Sequence, residues 1–174
     1  MLRSLFGPRL SRGRIDRLYA HAVAQARQPA FYTALGVADR IDARFELYTL
    51  HVLLLSLRLR DLDEEGGEMA QALFDTYVSA LDDTLRELGV GDVAVGKKMR
   101  KLGEALYGRM QAYEAAVAAG EDAALSAALA RNVLETDAAG AGDALARYAL
   151  ASRAALAAQT LRQIEAGPAW AEVK

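Results

Sequence analysis

Apolar residues recur every three or four positions along most of the chain, and glycine, proline or clustered charge separates one such run from the next. This spacing predicts a series of amphipathic α-helices. A first helix is expected over 12–28, with Ile15, Leu18, Tyr19, Ala22, Val23 and Ala26 inward, Ser11 placed to cap it and Pro29 stopping it. A short helical turn over 29–37 puts Phe31 and Tyr32 at one end of the core. The helix over 41–62 carries two apolar stripes, one through Ile41, Phe45, Tyr48, Val52, Leu55, Leu59 and Leu62 and another through Leu47, Leu50, Leu54 and Leu57. A helix apolar on more than one side belongs at the centre of a fold. The acidic, glycine-containing stretch 61–68 reads as a loop. A cleaner stripe follows over 68–88 (Ala70, Leu73, Phe74, Tyr77, Leu81, Leu85, Leu88), closed by the Gly89-Val90-Gly91 turn.

From Asp92 onward, Val95, Met99, Leu102, Leu106, Met110, Tyr113 and Val117 mark one stripe of a long helix. Its methionines sit on that stripe and are expected in the core. An alanine-rich helix over 122–134, a loop over 135–142 and a last helix over 143–166 complete the chain, with Gly167-Pro168 ending it. The expectation is an all-α fold: a single compact domain of about six or seven helices around the hydrophobic helix 41–62. A basic arm over 1–11 precedes a helical domain over 12–167, and a tail over 168–174 follows it.

Composition supports helix over sheet, since much of the 53% hydrophobic content is alanine and only three residues are proline. There is no cysteine, which removes disulfides, thiolate metal sites and thiol nucleophiles together. His21 and His51 stand in no metal-binding pattern, so neither a metal nor another cofactor is expected. His51, inside the central helix, reads as a core histidine bonded to a neighbour. The longest uncharged run, Leu47 to Leu57, rises about 16 Å at 1.5 Å per residue, half of a ~30 Å hydrocarbon layer. With no secretory signal pattern at the N-terminus, a cytoplasmic, soluble chain is expected.

Charge adds two features. Lys97, Lys98, Arg100 and Lys101 crowd the start of the helix after Asp92, where the helix dipole disfavours cations by about 0.3–1 kcal/mol each. Asp92 is placed to cap that helix and offset them. Further along, Tyr107-Gly108-Arg109 sets a glycine inside a helix at a cost of roughly 1 kcal/mol relative to alanine. Gly91 to Lys97 has the G-x-x-x-x-G-K spacing of a phosphate loop, but Lys98 stands where Ser or Thr is needed and the preceding apolar spacing is helical. Nucleotide binding is therefore not expected. Residues 1–17 hold Arg3, Arg9, Arg12, Arg14 and Arg17, a composition suited to a solvated terminus, an anionic membrane surface or ribosomal RNA.

Several of these residues also match a known family. Gln25-Ala26-Arg27-x-Pro29-Ala30-Phe31-Tyr32, Gly36-Val37-x-Asp39-x-x-Asp42-x-Arg44-Phe45-Glu46 and Leu50-His51 resemble the ubiquinol–cytochrome c chaperones. So does Leu88-Gly89-Val90-x-Asp92-x-x-Val95-Gly96-Lys97-Lys98-Met99-Arg100-Lys101-Leu102, with Tyr107-Gly108-Arg109 and Tyr113 beyond it. The resemblance covers roughly residues 12 to 165 and suits a bacterial member. It implies a non-enzymatic, all-helical assembly factor for respiratory complex III that binds newly made cytochrome b. A small partner subunit, the ribosome and peripheral contact with the anionic inner-membrane surface are further partners it brings into view. It places the client-binding surface at Asp92, Lys97, Lys98, Arg100, Lys101, Tyr107 and Arg109. The alternative is an RNA- or ribosome-binding regulator of cytochrome b synthesis that uses the basic arm and the Lys97–Lys101 patch.

Overall fold

The uncharged run in the middle of the chain forms the buried axis of the molecule. The computed structural model describes residues 12–87, 92–120 and 122–174, and the side chains of all of these except 85, 92–103 and 105. Its helices are α1 (Arg12–Ala26), α2 (Pro29–Thr33), α3 (Ile41–Arg60), α4 (Glu64–Glu87), α5 (Asp92–Ala119), α6 (Asp122–Val133), α7 (Asp143–Ala157) and α8 (Leu161–Ala166). Six are long; α2 and α8 hold five and six residues. No strand occurs among the described residues, and the fold is all-α.

Every residue from Leu50 to Leu57 is buried, because α1, α4, α5, α6 and α7 all pack against α3. Fully burying each leucine contributes about 1.5–3 kcal/mol. The stripes predicted for its neighbours face it: Leu18 and Ala22 from α1, Leu73 and Tyr77 from α4, Leu106 and Tyr113 from α5. Met110 is partly buried against the core, as its stripe position predicts, whereas Met99 lies outside the described side chains.

Two boundaries differ from the sequence expectation. Residues 61–68 are not a loop throughout, since α4 already begins at Glu64 and carries Gly66 and Gly67 in its first turns. Asp63 accepts from the Gly66 amide at 3.0 Å, and Glu64 and Glu65 suit the positive end of the helix dipole. A side chain at Gly66 would place its Cβ 2.3 Å from the Leu59 carbonyl oxygen. Glycine is needed there by the tight α3–α4 corner, not by a turn. The expected last helix, 143–166, is two helices, α7 and α8, separated by residues 158–160. Thr160 and Gln163 form a reciprocal capping box that restarts the helix.

Residues 168–174 pack back on the domain. Gln159 donates from Nε2 to the Ala169 carbonyl and accepts the Ala169 amide at Oε1, both at 2.8 Å. The Ala171 amide donates to Ser152 Oγ at 3.2 Å, and Trp170 meets His51 edge-on with centroids 5.1 Å apart. Arg14 binds Glu165 at 2.5 Å and Glu65 at 2.7 Å, tying α1 to α8 and α4. One arginine of the basic N-terminal stretch is thus used inside the domain. No helix of the described residues is long and apolar enough to cross a membrane.

Candidate functional site: two grooves beside α5

The chain leaves two large hydrophobic side chains well exposed among the described residues, Ile41 at 62% and Tyr107 at 63%. Each stands at a groove formed where α5 crosses the pair α3–α4. The first groove, about 320 Å³, lies between α4 and α5 over the middle of α3. Leu53, Phe74, Tyr107 and Met110 give it apolar walls, and the unpartnered Ser56 hydroxyl is buried at its floor. An Arg60–Glu114 ion pair of 2.6 Å joins α3 to α5 beside it. Gly108, next to Tyr107, faces open space: a Cβ there would meet nothing within 4 Å. Packing inside the domain gives no reason for a glycine at this point.

The second groove, about 390 Å³, opens between the start of α3, the end of α4, α5 and the end of α6. Ile41, Phe45 and Leu81 supply its apolar wall. Glu46 reaches it from a buried position on α3, and Arg109 donates from Nη1 to Glu46 Oε1 at 2.6 Å. Glu46 Oε2 is buried and has no hydrogen-bond partner. Burial pushes the Glu46 carboxyl up to about 7 and nearby Asp42 adds to the rise, while Arg109 opposes it. On the α6 side, Asn132 Nδ2 donates to the Tyr113 hydroxyl at 3.0 Å, so this asparagine is a contact within the α5–α6 pair. Burial holds the Tyr113 phenol above its ordinary range.

The other buried polar cluster on α3 has a different character. His51 Nδ1–H donates to the Leu47 carbonyl at 2.7 Å, and Nε2 accepts from the Tyr148 hydroxyl at 2.8 Å. That hydroxyl in turn accepts from Gln25 Nε2 at 3.1 Å. Phe31, Tyr148 and Trp170 surround the ring, and burial pushes its pKa down to about 4. His51 is the bonded core histidine that the sequence predicts.

Of the predicted client-binding residues, Tyr107 and Arg109 fall within the described side chains, and they are not buried together. Tyr107 stands at the first groove and Arg109 lines the second. Asp92, Lys97, Lys98, Arg100 and Lys101 belong to the same helix, but their side chains lie outside those described. The described element before α5 is a helix, α4, so among the described residues no strand precedes the phosphate-loop spacing at Gly91–Lys97. The sequence places Ile41 on an apolar stripe of α3, but at the first position of the helix it projects past the core and is exposed; Asp42 and Glu46 stand in the family motif but were not assigned to the site. The available signal was the Asp42–Glu46 spacing of four, which puts two carboxylates on one face just before the uncharged run of α3.

A family model described as ubiquinol-cytochrome C chaperone matches residues 33–171, most of the chain and all of both grooves. The chain belongs to this family. Among solved structures, the Cbp3 homolog from Brucella abortus is similar to this member of the ubiquinol–cytochrome c chaperones, with 34% sequence identity and a TM-score of 0.82. That match covers 92% of this chain and 90% of the Brucella chain. No curated protein matches the chain with comparable significance.

Proposed function

We propose that the protein is an assembly chaperone for the ubiquinol–cytochrome c reductase, respiratory complex III, and that it holds newly made cytochrome b on the face built by α5 and its two grooves. Membership of the ubiquinol–cytochrome c chaperones is the observation that carries the reading. The face itself supports it physically. A client made of membrane helices presents apolar side chains before insertion, and Tyr107, Phe74 and Met110 line an apolar groove open to such a segment. Methionine adapts its shape to varied partners, and an exposed tyrosine adds contact area at little entropic cost. Tyr107 and Arg109 are the contact residues on the described half of α5. Asp92, Lys97, Lys98, Arg100 and Lys101 extend the proposed surface along the same helix, toward a client or the anionic inner face of the membrane.

The test is a photocrosslink from position 107 or 98, made in cells that express tagged cytochrome b, with exposed Asp83 on α4 as the control site. Cytochrome b adducts from α5 and none from position 83 are expected. Adducts with ribosomal RNA or ribosomal proteins alone would replace this reading with control of cytochrome b synthesis at the ribosome. Equal adducts from all three positions would remove α5 as the binding face.

A further inference from the structure

We infer that the groove headed by Glu46 receives one basic side chain, lysine or arginine, from a polypeptide segment that is otherwise apolar. The polypeptide's identity as a membrane-protein client rests on the chaperone reading above; the chemistry of the groove does not.

Three observations meet here. Glu46 is only 4% exposed, yet Oε2 has no donor, and a buried carboxylate oxygen without a hydrogen bond is a costly state. Arg109 satisfies Oε1 alone, through a single contact, and is itself 31% exposed at the groove. A second donor at that oxygen would complete the carboxylate. Three acids, Asp42, Glu46 and Glu135, line the groove together with Arg109 and Arg131. Arg40 takes Glu135, and Asp42 at the mouth has no ion pair among the described residues. Finally, exposed Ile41 lines the groove together with Phe45 and Leu81, giving it an apolar wall. A four-carbon or guanidinium-tipped stem buries its methylenes on such a wall while its head seeks a carboxylate.

A basic residue beside apolar ones is a common feature of the segments this protein is proposed to hold. The loops of membrane proteins on the cytoplasmic side carry an excess of lysine and arginine next to the ends of apolar helices. The groove therefore reads the junction between a transmembrane segment and its cytoplasmic loop, while the Tyr107 groove takes purely apolar surface.

The probe is n-butylguanidinium, an arginine side-chain analogue, titrated into the full chain with labelled isoleucine and leucine methyls; n-butylurea serves as the neutral isostere. Shifts are expected at Ile41 and Leu81, with the urea binding at least about tenfold more weakly, the difference a hydrogen bond to a charged group makes. E46Q should weaken the guanidinium by a similar factor. Because E46Q also loosens Arg109, T84W is the second variant: Thr84 is exposed at the groove, and the indole should block entry without touching Glu46. Equal binding of the urea, no binding by 50 mM probe (roughly the weakest affinity that a ligand this small would show), or shifts unmoved by both variants would overturn the inference. Capture of tagged cytochrome b by the same variants separates the two ideas. If the wild type captures it while the probe fails, the groove assignment falls and the chaperone reading stands. If the probe binds while no cytochrome b is captured, the reverse holds.

Discussion

Glu46 and His51 lie five residues apart on one helix, both buried, and they are opposites. Around His51 every polar atom is used: a backbone carbonyl, a tyrosine hydroxyl and the glutamine behind it close the network, and aromatic rings seal it. Around Glu46 one oxygen is bonded, the other is not, and a groove lies beside it. A satisfied buried group fixes a core; a half-satisfied one beside open space marks a place where the molecule is incomplete without something else. The middle of α3 thus serves stability, and its head is where the proposed recognition falls.

The largest effect should come from breaking the closed region. H51L removes the acceptor of the Tyr148 hydroxyl and should cost about 2–4 kcal/mol at neutral pH, read from the urea midpoint. The wild type should also lose stability in acid. His51 is held near 4 in the fold against about 6.5 when unfolded, so its contribution is complete above 6.5 and disappears as the pH falls through 4, by about 3 kcal/mol in all. H51L should flatten that acid limb.

A smaller effect of opposite sign belongs to the open region. The Glu46 carboxyl titrates near 7 in the fold and near 4.5 when unfolded, so its contribution is present below 4.5 and is lost as the pH rises through 7. E46Q should remove about 1–3 kcal/mol of this alkaline loss, seen in a stability profile from pH 4.5 to 8. A steeper alkaline limb in E46Q than in the wild type would contradict the burial cause.

The smallest effect sharpens the contrast on α5. Gly108 has no packing partner for a Cβ to disturb, so G108A should raise stability by about 0.5–1 kcal/mol in urea unfolding. If a client segment approaches the backbone beside Tyr107, the same variant should lower crosslinking from position 107 while stability rises. A loss of stability would mean that the glycine serves the fold after all.

Most of the closed region was legible in the sequence. An all-round apolar helix with neighbours bearing single stripes can bury itself only at the centre, and a histidine within it must be bonded. Gly66-Gly67 misled, because glycine signals a loop by its freedom, whereas Gly66 is required by its close approach to the Leu59 carbonyl, seven positions earlier across the α3–α4 corner. The α7–α8 break was present as Thr160-Leu161-Arg162-Gln163 but was masked by apolar spacing that continues across it. The open region was less legible. Arg109 and Tyr107 entered the site through family resemblance, and Glu46 stood in a motif of that resemblance without being assigned to the site. Its half-bonded state depends on where α5 and α6 settle, and no local pattern encodes that.

The edge-on contact of Trp170 with His51 has an optical consequence. Trp170 is the chain's single tryptophan, so its emission reports from one place, the seam between the C-terminal segment and the central helix. Imidazolium quenches indole fluorescence far more strongly than neutral imidazole does. The intact fold should therefore glow steadily through the neutral range and dim as His51 takes up its proton, whereas release of the last residues should shift the emission toward that of water-exposed indole. The molecule carries its own spectroscopic gauge of whether its centre is closed.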